Sequence, residues 1–283
     1  MEERQNVISL MLREMQYRNY SKRTLESYTK FMLALEKALV PVPLSAITTE
    51  QFKNYLYLRV QHDKVSVSFI NQTISAWKIL QTDVLKREYE SIKIKRPRRE
   101  KKYPTVLTQQ EVEKILNVTQ NIKHKALLML TYSAGLRRDE LRLMKPSAID
   151  SKNMRVHVVQ GKGKKDRYTI LSPKVLEYLR IYFVSEKPKV YLFETRMKTG
   201  SPLSSGSLNK IIKNGAKKAG IKKNVSFHTL RHCFATHLLE QGVNLRLIQD
   251  FMGHTSLKTT SIYLHLANIK TSGVISPLEN MNI

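Results

Sequence analysis

Four short blocks carry side chains that packing alone does not call for: GLRRDEL at 135–141, GKGKKDR at 161–167, HTLRH at 228–232 and GHTSLKTTSIYLH at 253–265. Between them they hold arginines and lysines that bind anions, imidazoles that exchange protons, and a tyrosine. Two simpler chemistries do not account for them. The 161–167 run is basic and glycine-rich, yet it lacks the G-x-x-x-x-G-K-[ST] order of a nucleotide loop and lies between strand-like runs rather than before a helix. His228 and His232 stand four apart with Cys233 and His237 nearby, a spacing compatible with zinc. The arginine between the two histidines and the lack of a following acidic ligand argue against a metal. No metal is assigned, and His232 and His237 are read as making hydrogen bonds within the fold.

Together the four blocks resemble the tyrosine recombinase (phage integrase) family, of Xer-like or mobile-element integrase type. That family's active site uses Arg, Lys, His-x-x-Arg, His or Trp, and Tyr in this order along the chain. All six positions are filled: Arg137 after Gly-Leu, Lys162 in Gly-Lys-Gly, His228 and Arg231 as His-x-x-Arg, His254 after Gly253, and Tyr263 nine residues later. Glu140, three after Arg137, also matches. Arg138 and Asp139 depart from the pattern, which more often has an apolar then a small residue there. The match covers 105–265 strongly and the amino-terminal part only through the Ser21-x-x-Thr24-x-x-x-Tyr28 helix start.

The implied reaction is cleavage and rejoining of DNA through a 3′-phosphotyrosine on Tyr263, without metal, nucleotide or other cofactor. Attack on a phosphodiester moves negative charge onto the non-bridging oxygens. Arg137 and Arg231 offer planar forked donors that stay charged and gain strength where water is excluded. A neutral tyrosine, with a pKa of about 10, is a poor nucleophile, so it needs a base, for which His228 is the candidate. Lys162, on a glycine-flanked tip, is the candidate acid for the departing 5′ oxygen. His254 is expected to donate a hydrogen bond to the phosphate, and Glu140 to hold a neighbouring active-site side chain.

The elements that must position these groups are mostly helical. Phe69, Ile70, Thr73, Ile74, Trp77, Leu80 and Val84 recur at three- and four-residue spacing after Ser66, an amphipathic helix with its N-cap. Thr48 to Gln51 has capping-box spacing, and Tyr28 to Leu39 forms a stripe that ends at Pro41. A bundle of about four helices is expected over 1–92, as a DNA-binding domain. Residues 93–104 read as a basic linker, because Lys93 to Lys102 holds seven basic residues and one acid, interrupted by Pro97. Proline and charge repulsion make this an extended strap suited to a phosphate backbone. Lys95, Arg96, Arg98, Arg99, Lys101 and Lys102 are its candidate DNA contacts, joined by Lys164 and Lys165 on the hairpin tip.

The second domain, 105–283, restarts at Thr108 with Glu111 three residues on. It continues with an apolar helix stopped at Gly135 and a short helix from Arg137 to Met144. A hairpin of Met154 to Gln160 and Arg167 to Leu171 follows, then helices from Ser172-Pro173, Leu208 and His228. The fold class is mainly α with a small antiparallel sheet, an α+β catalytic domain beside a helical bundle. The resemblance implies a C-shaped DNA clamp and a tail after His265 that docks on a neighbouring protomer.

Composition sets the partner class. The chain of 283 residues has 49 Lys plus Arg against 23 Asp plus Glu, a net charge of +26. Residues 1–104 hold 20 basic and 11 acidic side chains, leaving 29 and 12 for the rest. Charge on both segments suits a protein that neutralises the phosphates of duplex DNA from two sides. A single cysteine, Cys233, excludes an internal disulfide framework and is assigned to packing. No secretory start or membrane-length apolar run stands out, so a cytoplasmic, nucleoid-associated protein is expected. The resemblance implies a homotetramer at synapsis, a monomer or dimer when free, and scope for an accessory or directionality protein. The alternatives are a relaxing enzyme like type IB topoisomerases and a DNA-binding accessory protein without catalysis.

Overall fold

The computed structural model describes residues 2–88, 94–98, 103–159 and 166–268. Lys162, Lys164, Lys165, Arg99, Lys101, Lys102 and the tail beyond 268 therefore lie outside the described residues. The chain divides into two compact units, Met1–Lys101 and Lys102–Ile283.

The first unit holds α1 (Glu2–Tyr17), α2 (Lys22–Ala38), α3 (Thr49–Asp63) and α4 (Val67–Lys78), the last continued by a π-helical turn at Ile79–Val84. Its helix starts follow from side-chain caps. Ser21, Ser66 and Thr48 each accept from the backbone N–H three residues on, and Gln51 closes the Thr48 capping box. Met11, Met15, Met32, Leu35, Phe52, Trp77 and Leu80 form the core, with the Phe52 and Trp77 rings stacked at 4.3 Å. Of the described strap residues, Lys95, Arg96 and Arg98 are exposed. Arg96 also donates to Asn71 O at 2.7 Å and Ser75 Oγ at 3.0 Å within this unit.

The second unit begins with α5 (Gln109–Val118), opened by a Thr108–Glu111 capping box, and α6 (Ile122–Ala134), closed by Gly135 at φ +61°. A Cβ on Gly135 would stand 2.3 Å from the Phe234 ring, so this position requires glycine both for its left-handed backbone and for the close approach. α7 (Arg138–Arg142) leads into an antiparallel sheet of β1 (Ile149–Asp150), β2 (Arg155–Val158) and β3 (Arg167–Ile170), in that order. Then come α8 (Pro173–Glu186), α9 (Ser205–Lys218), α10 (Phe227–Glu240), α11 (Leu245–Met252) and α12 (Leu257–Thr260), and a 3₁₀ turn at Ser261–His265.

The sheet register places His157 opposite Tyr168 and Val158 opposite Arg167. Strand alternation turns Val156 and Val158 into the core, while His157 stacks on Tyr168 at 4.7 Å along the other face. The same alternation puts Arg167 on the side of Thr169, which is buried and donates to Ala134 O at 3.0 Å. Cys233 is fully buried and accepts the Leu107 N–H at 3.2 Å, with burial pushing its thiol up to about 11. Among the described residues no helix is long and apolar enough to cross a membrane.

Candidate active site

The loop-to-helix step after Gly135 sets Arg137 as the N-cap of α7, and Glu140 closes the turn by accepting the Arg137 N–H at 2.8 Å. The other Glu140 oxygen accepts Arg137 Nη1 at 2.7 Å. From β3, Arg167 meets the same carboxylate with Nη1 and Nη2, both at 2.7 Å. Arg231 of α10 approaches to 3.9 Å. Burial alone pushes the Glu140 carboxyl up, but the hydrogen bonds and charge of Arg167 and the Arg137 backbone overcome it and hold the group down at about 2. The carboxylate is therefore ionised at any working pH.

Three arginines also find the open end of α11. The last carbonyls of a helix lack intrahelical partners and carry the negative end of its dipole. Phe251 O accepts Arg167 Nε at 2.8 Å, Met252 O accepts Arg231 Nη2, and Gly253 O accepts Arg137 Nη2 at 2.7 Å. Arg231 also donates to Gly135 O from within the core, at 4% exposure. Its burial and the nearby Arg137 charge press its pKa down to about 9, which leaves it charged at neutral pH. Three guanidiniums against one carboxylate leave a local surplus of positive charge, which favours an incoming anion.

Gly253, at φ +58°, lets the chain leave α11 and turn His254 inward. The His254 backbone is fixed by Gln249 Nε2, which donates to its carbonyl at 2.8 Å. Arg231 Nη2 lies 3.2 Å from His254 Nε2, and Thr260 Oγ1 lies 2.9 Å from Nδ1. A guanidinium can only donate, so Nε2 is the acceptor and Nδ1 carries the ring hydrogen. Burial first, then the Arg231, Arg137 and Arg167 charges, hold the imidazole at about 3. Both nitrogens of the neutral ring thus face protein partners.

Tyr263, on the 3₁₀ turn, is 1% exposed among Phe234, Ala235, Ile248 and Met252. Its ring lies parallel to His254 at 6.5 Å. Burial pushes the phenol up to about 12 against the opposing pull of Arg231 and Arg137. Its hydroxyl is 3.0 Å from His232 Nδ1. The expectation that His228 serves this hydroxyl is not what the geometry shows. His228 sits one turn earlier on α10, exposed, facing a cavity of about 710 Å³ that Arg137, Arg138, Asp139, Glu140 and His157 also line. Burial, then the Arg138 and Arg231 charges, lower its pKa.

The structure therefore brings together Arg137, Glu140, Arg231, His254 and Tyr263, with His228 on the open side. Sequence reasoning missed Arg167 and His232. Arg167 ends the GKGKKDR block, where its place one strand residue inside the hairpin marks it as more than a tip charge. His232 shares a helix face with His228 and directly follows Arg231, which is the signal that it reaches the same site. His237, read as a fold residue, bonds Tyr132 Oη at 2.8 Å and Leu107 O at 2.9 Å. Among the described residues no group of three or more His, Cys, Asp or Glu could hold a metal.

Comparison with known proteins places this arrangement. The phage integrase family matches residues 105–269, and the phage integrase N-terminal SAM-like domain matches residues 8–91. The chain is 33% identical to the tyrosine recombinase XerA of Pyrococcus horikoshii over 93% of this chain and 92% of that one. It is 30% identical to the tyrosine recombinase XerD of Oceanobacillus iheyensis over 88% and 87%. A lambda integrase dimer bound to a COC′ core site shares the fold, with a TM-score of 0.70 at 21% identity over 91% of this chain and 94% of that one. The chain belongs to the phage integrase family of tyrosine recombinases.

Proposed function

We propose that the chain is a site-specific recombinase that cuts one DNA strand by attack of Tyr263 on a phosphodiester. The product is a 3′-phosphotyrosine with a free 5′ hydroxyl, and a second strand completes the exchange. The observation that carries this reading is the continuous chain of hydrogen bonds and ion pairs from Arg137 through Glu140, Arg231 and His254 to Thr260, at the start of the turn that bears Tyr263. Arg137 and Arg231 bind the non-bridging oxygens and stabilise the charge that grows there. His228 and His254 supply imidazoles beside them, and Lys162 protonates the leaving oxygen. Glu140 and Arg167 are positioning residues. The phosphotyrosine bond conserves the energy of the broken phosphodiester, so this chemistry asks for no ATP.

Binding follows the charge. Both basic units contribute to duplex binding, with Lys95, Arg96, Arg98, Arg99, Lys101, Lys102, Lys164 and Lys165 on its phosphates, and four copies act on two sites. The compartment is the one that holds the DNA, the nucleoid region of the cytoplasm. The test is direct. DNA covalently attached to the chain in cells is recovered and sequenced, and a nicked duplex of that sequence is offered to the purified protein. A covalent adduct that wild type forms and Tyr263→Phe does not, with equal gel-shift binding, is the expected result. No adduct with wild type overturns the reading. Supercoiled plasmids with and without paired sites separate recombination from relaxation.

A further inference from the structure

We infer that His232 is a catalytic residue, the group that takes the Tyr263 proton as the bond to phosphorus forms. The inference rests on the proposed reaction at Tyr263 and assigns a step within it. Three observations converge. First, the Tyr263 hydroxyl is 3.0 Å from His232 Nδ1, within the reach required of a general base. Second, Tyr263 is 1% exposed, so bulk water is not at hand to receive the proton. Third, α10 carries His232 directly after Arg231, so the residue that binds the hydroxyl and the residue expected to bind the phosphate are set by one rigid helix.

The groups that face the His232 imidazole are His228 and Arg231 on its own helix, Tyr263 on the 3₁₀ turn and His254 after α11. Burial first, then His228 and Arg231, keep its pKa down at about 4. The ring is therefore neutral at physiological pH, with Nδ1 free to accept while Nε2 carries the hydrogen. A weak base suffices because the phenol does not stay a weak acid. As the tyrosine oxygen bonds to phosphorus it loses electron density and its proton becomes strongly acidic. The incoming phosphodiester also adds a negative charge that favours an imidazolium. In the step, the Oη–H bond breaks, Oη bonds to phosphorus, the 5′ oxygen leaves with a proton from a separate acid, and His232 ends as imidazolium. His228, exposed one turn earlier on the same face of α10, is left to bind phosphate.

The test uses the full-length protein and a nicked duplex of the sequence recovered from its DNA adducts. Single-turnover adduct formation is measured for wild type and His232→Asn, whose amide keeps a hydrogen-bond partner near Tyr263 but cannot take its proton. The expected loss is about 100-fold, the low end of general-base effects, with unchanged gel-shift affinity. The measurement is repeated with 3,5-difluorotyrosine at position 263, a markedly more acidic phenol. The loss should shrink to a few-fold, because a more acidic nucleophile needs less help. A merely structural role for His232 gives the same loss with both phenols, and that result overturns the inference. So does a loss under threefold in His232→Asn, which would hand the proton to the phosphate itself. Should His232→Asn fail to bind DNA, His232→Gly supplied with free imidazole gives a second reading, in which restored adduct formation supports the inference and its absence opposes it. Wild type that forms no adduct removes the proposed reaction and this step with it.

Discussion

Arg167 and Glu140 meet end to end, Nη1 on Oε1 and Nη2 on Oε2, each at 2.7 Å, with both side chains under a tenth exposed. Because Glu140 also holds Arg137 by its backbone N–H and by Nη1, β3 is locked to Arg137 through one carboxylate. A bidentate pair of this kind fixes geometry as well as charge. Arg167→Met should leave Glu140 able to swing and Arg137 misplaced. A displacement of about 1 Å at a reacting centre costs on the order of 100-fold in rate. Adduct formation should fall by about that factor while gel-shift affinity changes little, and Arg167→Lys, which cannot form the fork, should rescue poorly. Removing the other partner is harsher. Glu140→Ala leaves three cations facing one another in a buried site and should cost about 3–5 kcal/mol of stability in urea unfolding.

Glycine substitutions separate stability from site geometry. At Gly135 a Cβ meets Phe234 at 2.3 Å, and at Gly253 it meets Arg167 Cδ at 2.7 Å, both at positive φ. The left-handed backbone costs a side chain about 1–2 kcal/mol and overpacking about 1–3 kcal/mol more. Gly135→Ala should therefore lower stability by about 2–4 kcal/mol in denaturant titration. Gly253→Ala pushes on Arg167, whose guanidinium is held by Glu140 and Phe251 O, and should lose a similar amount of stability. It should nonetheless lose more activity per kcal/mol, because Gly253 O holds Arg137 and its neighbour is His254.

Much of this framework is legible in the sequence, and the reason is locality. The Thr108–Glu111 box, the Gly135 stop and the hairpin alternation involve residues a few positions apart, so spacing alone carries them. The four polar blocks could be aligned to a known order for the same reason. What could not be read is where long-range partners meet. Arg167 lies 27 residues from Glu140, and His232 lies 31 from Tyr263. The carbonyl end of α11, which receives three arginines, is backbone and leaves no side-chain trace in a sequence. The strap is a further case. Its charge density reads as phosphate contacts, and the hydrogen bonds of the exposed Arg96 to Asn71 and Ser75 within the helical unit are a long-range pairing that spacing does not show.

Buried imidazoles make stability depend on pH above the carboxylate range. His232 is held at about 4 and His254 at about 3, and His124 and His237 are also lowered, burial being the leading cause in each. The unfolded chain binds protons at these sites with a pKa of about 6.5, so between the folded and unfolded values it holds more protons than the folded chain. Stability then rises with pH in that window. The contribution is complete above about 6.5 and is lost as pH falls toward 4, before Glu140, held at about 2, begins to titrate. Thermal unfolding of the full chain should show a falling midpoint from pH 7 to pH 5. His254→Gln, which does not titrate, should flatten that slope. A midpoint indifferent to pH over this range would contradict the buried neutral assignment.

The leaving oxygen needs its own proton, and the groups around Tyr263 cannot supply it. His254, held at about 3, has no proton to spare beyond the one shared with Thr260. Lys162, four residues after the end of β2 and five before the start of β3 in the sequence, is the acid that the proposed reaction assigns. Lys162→Ala should slow adduct formation by about 100-fold, as loss of a general acid does. A substrate with sulfur at the 5′ bridging position leaves without protonation, so it should react at comparable rates with wild type and Lys162→Ala. Failure of that sulfur substrate to restore the variant would assign the acid to another group. Equal restoration of Arg137→Ala would show that the rescue is not specific to proton donation.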